Sequence, residues 1–307
     1  MDPPGKRPLL FHREYLRFSG GHLKFRHYFE HAERSTRFQP RIYISPRSIP
    51  EAAALWRGMA TPPLESWRPA DAAAFFVAGE DWTEVPDPSP VPVVNLIQHV
   101  RHADPGSPRW KALSRPAIRI CVSREVADAI EATGRVNGPV HVIPVGLDPS
   151  ELPTPARQRD RAAVIAGLKN PGFARAVHER LAAAGHESEC VVDRMPRSDF
   201  LARIARAGVA ITVPNEREGF FLPALEAMAL GAIAVCPDCI GNRSFCRDGE
   251  TAFRPPYEVD AVVDAARSAL SLPPPRAEAM RAAAAAEAHR HSIEAERSAF
   301  LRILDSL

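Results

Sequence analysis

Residues 209–231 read VAITVPNEREGFFLPALEAMALG, an apolar run, a charged turn and a second apolar run that ends at Gly231. The first part, Val209–Pro214, has the length and β-branched content of a buried strand. Pro223 is suited to a first helical turn because its φ is already set, and Leu225, Met228 and Leu230 carry the apolar content of the helix that follows. Strand, turn and helix in this order form one βα unit of a parallel sheet. Backbone N–H groups around Gly219, Phe220, Phe221 and Leu222, together with the helix start, are placed to receive a phosphate or sugar hydroxyls. Glu218 precedes the helix, and Glu226 is expected in its first turn, able to accept from a vicinal diol such as ribose. Paired carboxylates beside an anion-binding helix start suit a ligand that presents diphosphate and hydroxyls together. The plainer alternative is that Glu226 balances the helix dipole and Glu218 is solvated.

The same alternation runs outward in both directions. Pro8–His12, Arg41–Pro46, Ala73–Ala78, Val91–His99, Ala117–Ser123 and Val140–Pro144 are strand candidates before the middle of the chain. Arg161–Ala166, Cys190–Asp193, Val209–Pro214 and Ala232–Pro237 follow it. Their near-continuous apolar content favours parallel strands buried on both faces. Phe25, Tyr28, Phe29 and Ala32 keep the spacing of a buried helix face, and Ser123 is placed to cap another helix. Further helices are expected around 173–184, 198–206, 223–230, 258–271 and 277–305. The proline-rich stretch 146–158 reads as a linker. The expected architecture is α/β: residues 1–148 form one Rossmann-like doubly wound domain and residues 149–307, terminal helices included, a second, with a cleft between them.

At 307 residues, 45% hydrophobic and 25% charged, the chain has material for two cores. The net charge of +2 and the lack of a long Lys/Arg cluster argue against a nucleic-acid partner. The Arg-rich opening, with Arg13, Arg17, Arg26 and Arg34, reads as a solvated face or as a contact to an anionic ligand or membrane surface. No stretch has the length of a membrane span or the pattern of a signal peptide, so the expected location is cytoplasmic. Peripheral contact with the inner membrane face needs no such segment and stays open. Cys236-x-x-Cys239 with Cys246 looks superficially like a zinc or redox site but lacks a fourth ligand, so no metal is expected.

Glu218-Gly-Phe-Phe-Leu-Pro-Ala-Leu-Glu226-Ala-Met-Ala-Leu-Gly231 resembles the donor-binding signature of glycosyltransferase family 4 (glycosyl transferases group 1), retaining enzymes of the GT-B fold. It departs at Phe221, where glycine is common. Cys121-Val-Ser123, Val140–Asp148 and Val235–Gly241 through Gly249 resemble further segments of that family. The resemblance implies transfer of a sugar, a hexose as the first expectation, from a nucleoside diphosphate sugar to an acceptor hydroxyl. The acceptor would be a saccharide, lipid-linked glycan or small molecule, as in bacterial polysaccharide or glycoconjugate synthesis. It implies ribose contact for Glu226 and donor-sugar contact for Glu218 and the amides after it, with Phe221 keeping its amide while narrowing or moving the sugar pocket. Lys169 is implied as a diphosphate contact, with Arg194 or Arg197 as the second basic residue. Gly20 and Gly21 resemble a phosphate-approaching glycine pair, although a flexible turn explains them equally. His99 is implied to face the donor sugar, with His102 and Gln98 as neighbours able to take that role. Two other readings compete: a noncatalytic nucleotide-sugar-binding protein, and an NAD(P)-dependent oxidoreductase, which the lack of an early Gly-x-Gly-x-x-Gly turn disfavours.

Overall fold

A computed structural model describes residues 5–16, 20–50, 56, 59, 61–156 and 159–307. The chain forms two compact units, Met1–Val145 with Glu294–Leu307, and Gly146–Ile293. All ten expected strands form within the described residues.

The first unit is built on six parallel strands, β1 (Arg7–Arg13), β2 (Phe38–Ile44), β3 (Ala74–Ala78), β4 (Val93–Ile97), β5 (Ile118–Cys121) and β6 (Val140–Val142). They lie in the order β2-β1-β3-β4-β5-β6. Every residue of β3 and β4 is buried, as central parallel strands covered on both faces require. β2 begins earlier than its apolar run, at Phe38, and accommodates Pro40 because it is the edge strand. Helix α1 (Gly20–Glu33) buries Phe25, Tyr28, Phe29 and Ala32, the face its spacing marked. Phe11 of β1 stacks on Phe76 of β3 at 4.6 Å between ring centres and meets Phe29 edge-on at 5.2 Å. Helix α2 (Pro108–Ala112) is short, and α3 (Arg124–Glu131) is capped by Ser123, whose Oγ accepts from the Val126 N–H at 3.2 Å. The Arg-rich opening does not act as one patch: Arg13 donates to Asp81 at 2.6 Å, Arg26 pairs with Glu30, and Arg17 lies outside the described residues.

The second unit has four parallel strands, β7 (Asp160–Ala166), β8 (Ser188–Val191), β9 (Ala207–Thr212) and β10 (Ile233–Val235), in the order β10-β9-β7-β8. Its helices are α4 (Pro171–Ala183), α5 (Arg197–Arg206), α6 (Leu222–Ala229), α7 (Val259–Leu270) and α8 (Pro274–Arg290). Strand alternation divides the core. Ile165 and Ile211 pack with Val177 and Val262, while Val164 and Ala210 pack on the opposite face with Leu201, Ile204 and Met228. This is the doubly wound arrangement.

The chain ends differently from the expectation. Residues 277–305 form two helices, broken at His291–Ser292, and the last, α9 (Ile293–Asp305), packs into the first unit. At the break, Leu147 N–H donates to His291 O at 2.7 Å and Ile293 N–H donates to Leu147 O at 3.0 Å. Gly146 permits this crossing, since a Cβ there would stand 2.7 Å from Ile293 Cα. The unit boundary accordingly falls at Val145/Gly146 rather than after Asp148. Glu296 of α9 is buried with Lys24 at 2.8 Å and His31 at 3.0 Å, and the Phe300 ring meets Tyr28 edge-on at 4.9 Å. A buried carboxylate needs a counter-charge and hydrogen bonds, and α1 supplies both, the charge from Lys24 and a further hydrogen bond from His31.

Candidate functional site

In the second unit, the ends of β7 and β9 bring together residues that the sequence separates by about fifty positions. β7 leads into Gly167-Leu-Lys169-Asn170. Gly167 is required here, because an added Cβ would lie 2.0 Å from Ala174 Cβ on α4. Asn170 caps α4 by accepting from the Phe173 N–H at 3.2 Å and donates to the Tyr257 hydroxyl at 3.3 Å. Tyr257 in turn donates to Pro214 O at 2.5 Å, anchoring the loop that follows β9. Lys169 is thus carried on a braced turn.

Glu218 lies in that loop, 6% exposed. Its Oε1 accepts from Lys169 Nζ at 2.6 Å and from the Asn215 N–H and Nδ2 at 3.1 and 2.9 Å. Three donors on one oxygen fix the orientation of the carboxylate. Lys169 keeps further donor capacity, being 39% exposed in its side chain, and its ammonium stands 5.1 Å from the Phe221 ring centre.

Two expectations about Phe221 need revision. Its N–H donates to Gly241 O at 2.8 Å, so this amide is already taken. Its ring is 2% exposed and belongs to the core around Leu225 and Met228, which is where a large apolar side chain gains most from burial. Phe221 therefore fills the core beneath Lys169. Gly219 and Phe220 lead into this turn, and Leu222 and Pro223 open α6, which has no side-chain cap. Gly241 closes in from the loop after β10: a Cβ there would meet Glu218 Cβ at 2.7 Å and the Phe220 N at 3.0 Å.

Glu226 stands at the fifth position of α6, beyond the first turn where it was expected. It is 2% exposed, and its Oε1 receives Arg197 NH1 at 2.5 Å. Burial pushes its carboxyl above the ordinary value, and the Arg197 guanidinium pulls against that shift. Arg197 also lies 3.7 Å from Glu151. Arg194 is exposed between β8 and α5, with no ion-pair partner among the described residues.

The remaining candidates belong to the first unit. Gly20 and Gly21 open α1 instead of forming a loose turn. Gly21 O accepts from Gln98 Nε2 at 3.2 Å, and a Cβ on Gly21 would lie 2.9 Å from Gln98 Oε1. His99 caps the short turn Val100–Ala103: its Nδ1 accepts from the Arg101 N–H at 3.0 Å, and Arg101 NH2 lies 3.1 Å from Nε2. His102 is buried, and burial lowers its pKa to about 3. Cys236, Cys239 and Cys246 are buried around Asn242, whose Nδ2 lies 3.0 Å from Cys236 Sγ. No group of three metal-ligating side chains occurs among the described residues, and none of the described helices is long and apolar enough to cross a membrane. Asn215, Tyr257 and the Arg197–Glu226 pairing escaped the sequence reading. Asn215 and Tyr257 carry no local signal, and the pairing joins residues 29 positions apart.

Two parallel α/β units of this kind define the GT-B fold, and solved structures agree. The chain is similar to sucrose-phosphate synthase from Thermosynechococcus elongatus, with a TM-score of 0.73 at 12% identity over 98% of this chain and 99% of that one. It is similar to HepE of Anabaena, solved with UDP and glucose, with a TM-score of 0.75 at 12% identity over 98% and 100%. A glycosyltransferase from Rickettsia africae gives 0.68 at 13% identity over 97% of each chain. No curated protein matches the sequence. Residues 152–287, most of the second unit, match the family model Glycosyl transferases group 1. The structural likenesses show the GT-B fold over nearly the whole chain, and the family match falls on the unit that carries Lys169, Glu218 and Glu226.

Proposed function

We propose that the second unit holds the donor through Glu226, Glu218 and Lys169. Glu226 accepts from the ribose hydroxyls, and Lys169 with the start of α6 takes the diphosphate. Glu218 and the backbone from Gly219 to Leu222, Phe221 N–H excepted, line the donor sugar. The observation that carries this reading is the convergence of Lys169, Glu218 and the start of α6 at the carboxyl ends of β7 and β9, the edge at which open parallel sheets bind ligands.

The chemistry follows from charge. As the bond between the sugar and the diphosphate breaks, negative charge grows on the leaving phosphate. A pre-positioned ammonium stabilises that charge without reorganising at the moment of reaction. Glu218 fixes Lys169 in place, while the remaining donors of Lys169 stay available. Transfer with retention to an acceptor hydroxyl, in polysaccharide or glycoconjugate synthesis on the cytoplasmic side, completes the proposal. It is supported by the resemblance of Glu218–Gly231 to retaining enzymes.

Thermal-shift titration with UDP-, GDP-, ADP- and dTDP-sugars tests the reading, followed by mass spectrometry of products. One donor class is expected to stabilise the protein and to be turned over. Lys169→Ala and Glu226→Gln should each weaken that response at least about tenfold, the loss of one charge-assisted hydrogen bond, while the protein stays folded. Titration curves identical to wild type in both variants would remove this site from consideration. Tight donor binding with neither transfer nor hydrolysis would favour the noncatalytic alternative.

A further inference from the structure

Arg197 is the first residue of α5, directly after Pro196. A cation at a helix N-terminus is opposed by the helix dipole, so the local sequence supplies no reason for an arginine there. Its surroundings do. NH1 meets the buried Glu226 Oε1 at 2.5 Å, and NH2 stands 3.7 Å from Glu151 Oε2 in the turn Pro149–Glu151. One guanidinium between two carboxylates leaves the trio with a net negative charge, which repels an anion such as a diphosphate. The described residues give Oε2 of Glu226 no hydrogen bond, so one carboxylate oxygen is held by the protein and the other is not.

We infer that Arg197 is a positioning residue: it keeps Glu226 charged and turned so that Oε2 is left for the vicinal hydroxyls of the donor ribose, and it does not contact the diphosphate. The ligand half of this inference rests on the proposed donor site. The charge half concerns the protein alone.

Two groups act on the Glu226 charge, Arg197 from α5 and Glu151 from the preceding turn, in addition to burial. Burial and Glu151 both favour the protonated carboxyl, and Arg197 opposes them. With Arg197 removed the two remaining influences act in the same direction, so Glu226 takes up its proton at a higher pH. Ligand binding that needs the carboxylate is then lost as pH falls, by up to about tenfold per pH unit below the new pKa.

The test uses the full chain with UDP, GDP, ADP and dTDP, and the nucleoside of whichever binds, by calorimetry at about pH 6 and about pH 8.5. In Arg197→Gln the dissociation constant should rise at least about tenfold more than in wild type as pH falls between these values. Nucleoside and nucleotide should be affected alike, because the defect lies at the ribose. Arg197→Lys should restore most of the wild-type behaviour, and Glu226→Gln should bind weakly with no such slope. A loss confined to the nucleotide and constant with pH would show that the guanidinium touches the diphosphate and would overturn the inference.

A ligand-free arm keeps the two questions apart. A carboxyl whose folded pKa lies above its unfolded value costs stability as pH rises through the folded value. The melting-temperature deficit of Arg197→Gln relative to wild type should therefore grow from about pH 5 to about pH 8, and the Arg197→Gln, Glu226→Gln double variant should show no growth. If none of the four nucleotides binds wild type, the donor reading falls with the ligand half of the inference. The unfolding series still decides the charge half, and a deficit that stays constant with pH overturns it.

Discussion

Replacing Gly241 with alanine probes how the site loop is held, independently of which ligand it takes. The new Cβ would stand 2.7 Å from Glu218 Cβ, 3.0 Å from the Phe220 nitrogen and 3.1 Å from the Phe221 nitrogen. Two of these three atoms belong to the backbone, and Gly241 O itself accepts from the Phe221 N–H at 2.8 Å, so no flexible side-chain tip can absorb the methyl group. Overpacking a tight site typically costs about 1–3 kcal/mol. For a domain of this size that corresponds to a melting temperature lowered by roughly 2–12 °C. Displacing the loop also moves Glu218 away from Lys169, so donor affinity should fall together with stability. Gly172 supplies the control in the same unit: among the described residues outside its own helix backbone and chain neighbours, an added Cβ would meet only Asn170 Oδ1, at 4.0 Å, and it lies in α4, where alanine is the better helix former. Calorimetric unfolding of Gly241→Ala, Gly172→Ala and wild type, read on the transition of the second unit, makes the comparison. Equal melting temperatures for Gly241→Ala and wild type would refute the steric reasoning.

The first unit should be acid-sensitive through His31. Burial lowers the His31 pKa despite its bond to Glu296, so the unfolded chain binds that proton more readily and stability is lost as pH falls below about 6.5. His31→Gln should flatten the fall in melting temperature between about pH 7 and about pH 5, and an unchanged slope would contradict the assignment. For Glu296, burial acts upward, but Lys24 and His31 together hold its carboxyl below the ordinary value; its contribution is present above about pH 4.5 and disappears only in stronger acid. Thiol labelling gives a separate check on packing. Cys190 is half-buried and the other four cysteines are buried, so the native protein should expose one slowly reacting thiol to an aromatic disulfide reagent and the denatured protein all five.

Much of this protein is written in short-range patterns. Near-continuous apolar runs marked all ten strands, and the spacing of Phe25, Tyr28, Phe29 and Ala32 marked the buried side of α1, because burial of a strand or a helix face imposes its period on neighbouring residues. The segment Glu218–Gly231 likewise carried its turn, its helix start and its two glutamates in plain view. Tertiary structure alone decided what those groups meet. Lys24 and Glu296 join residues 272 positions apart and draw the last helix into the first unit, a pairing that no local period encodes. The Phe221 amide, available by sequence, is taken by Gly241 O, and Arg197, implied as a phosphate contact, has its guanidinium against Glu226. Periodicity states which side of an element is buried. Which charges and amides neutralise one another depends on distances between elements, and those distances are set only when the chain is packed.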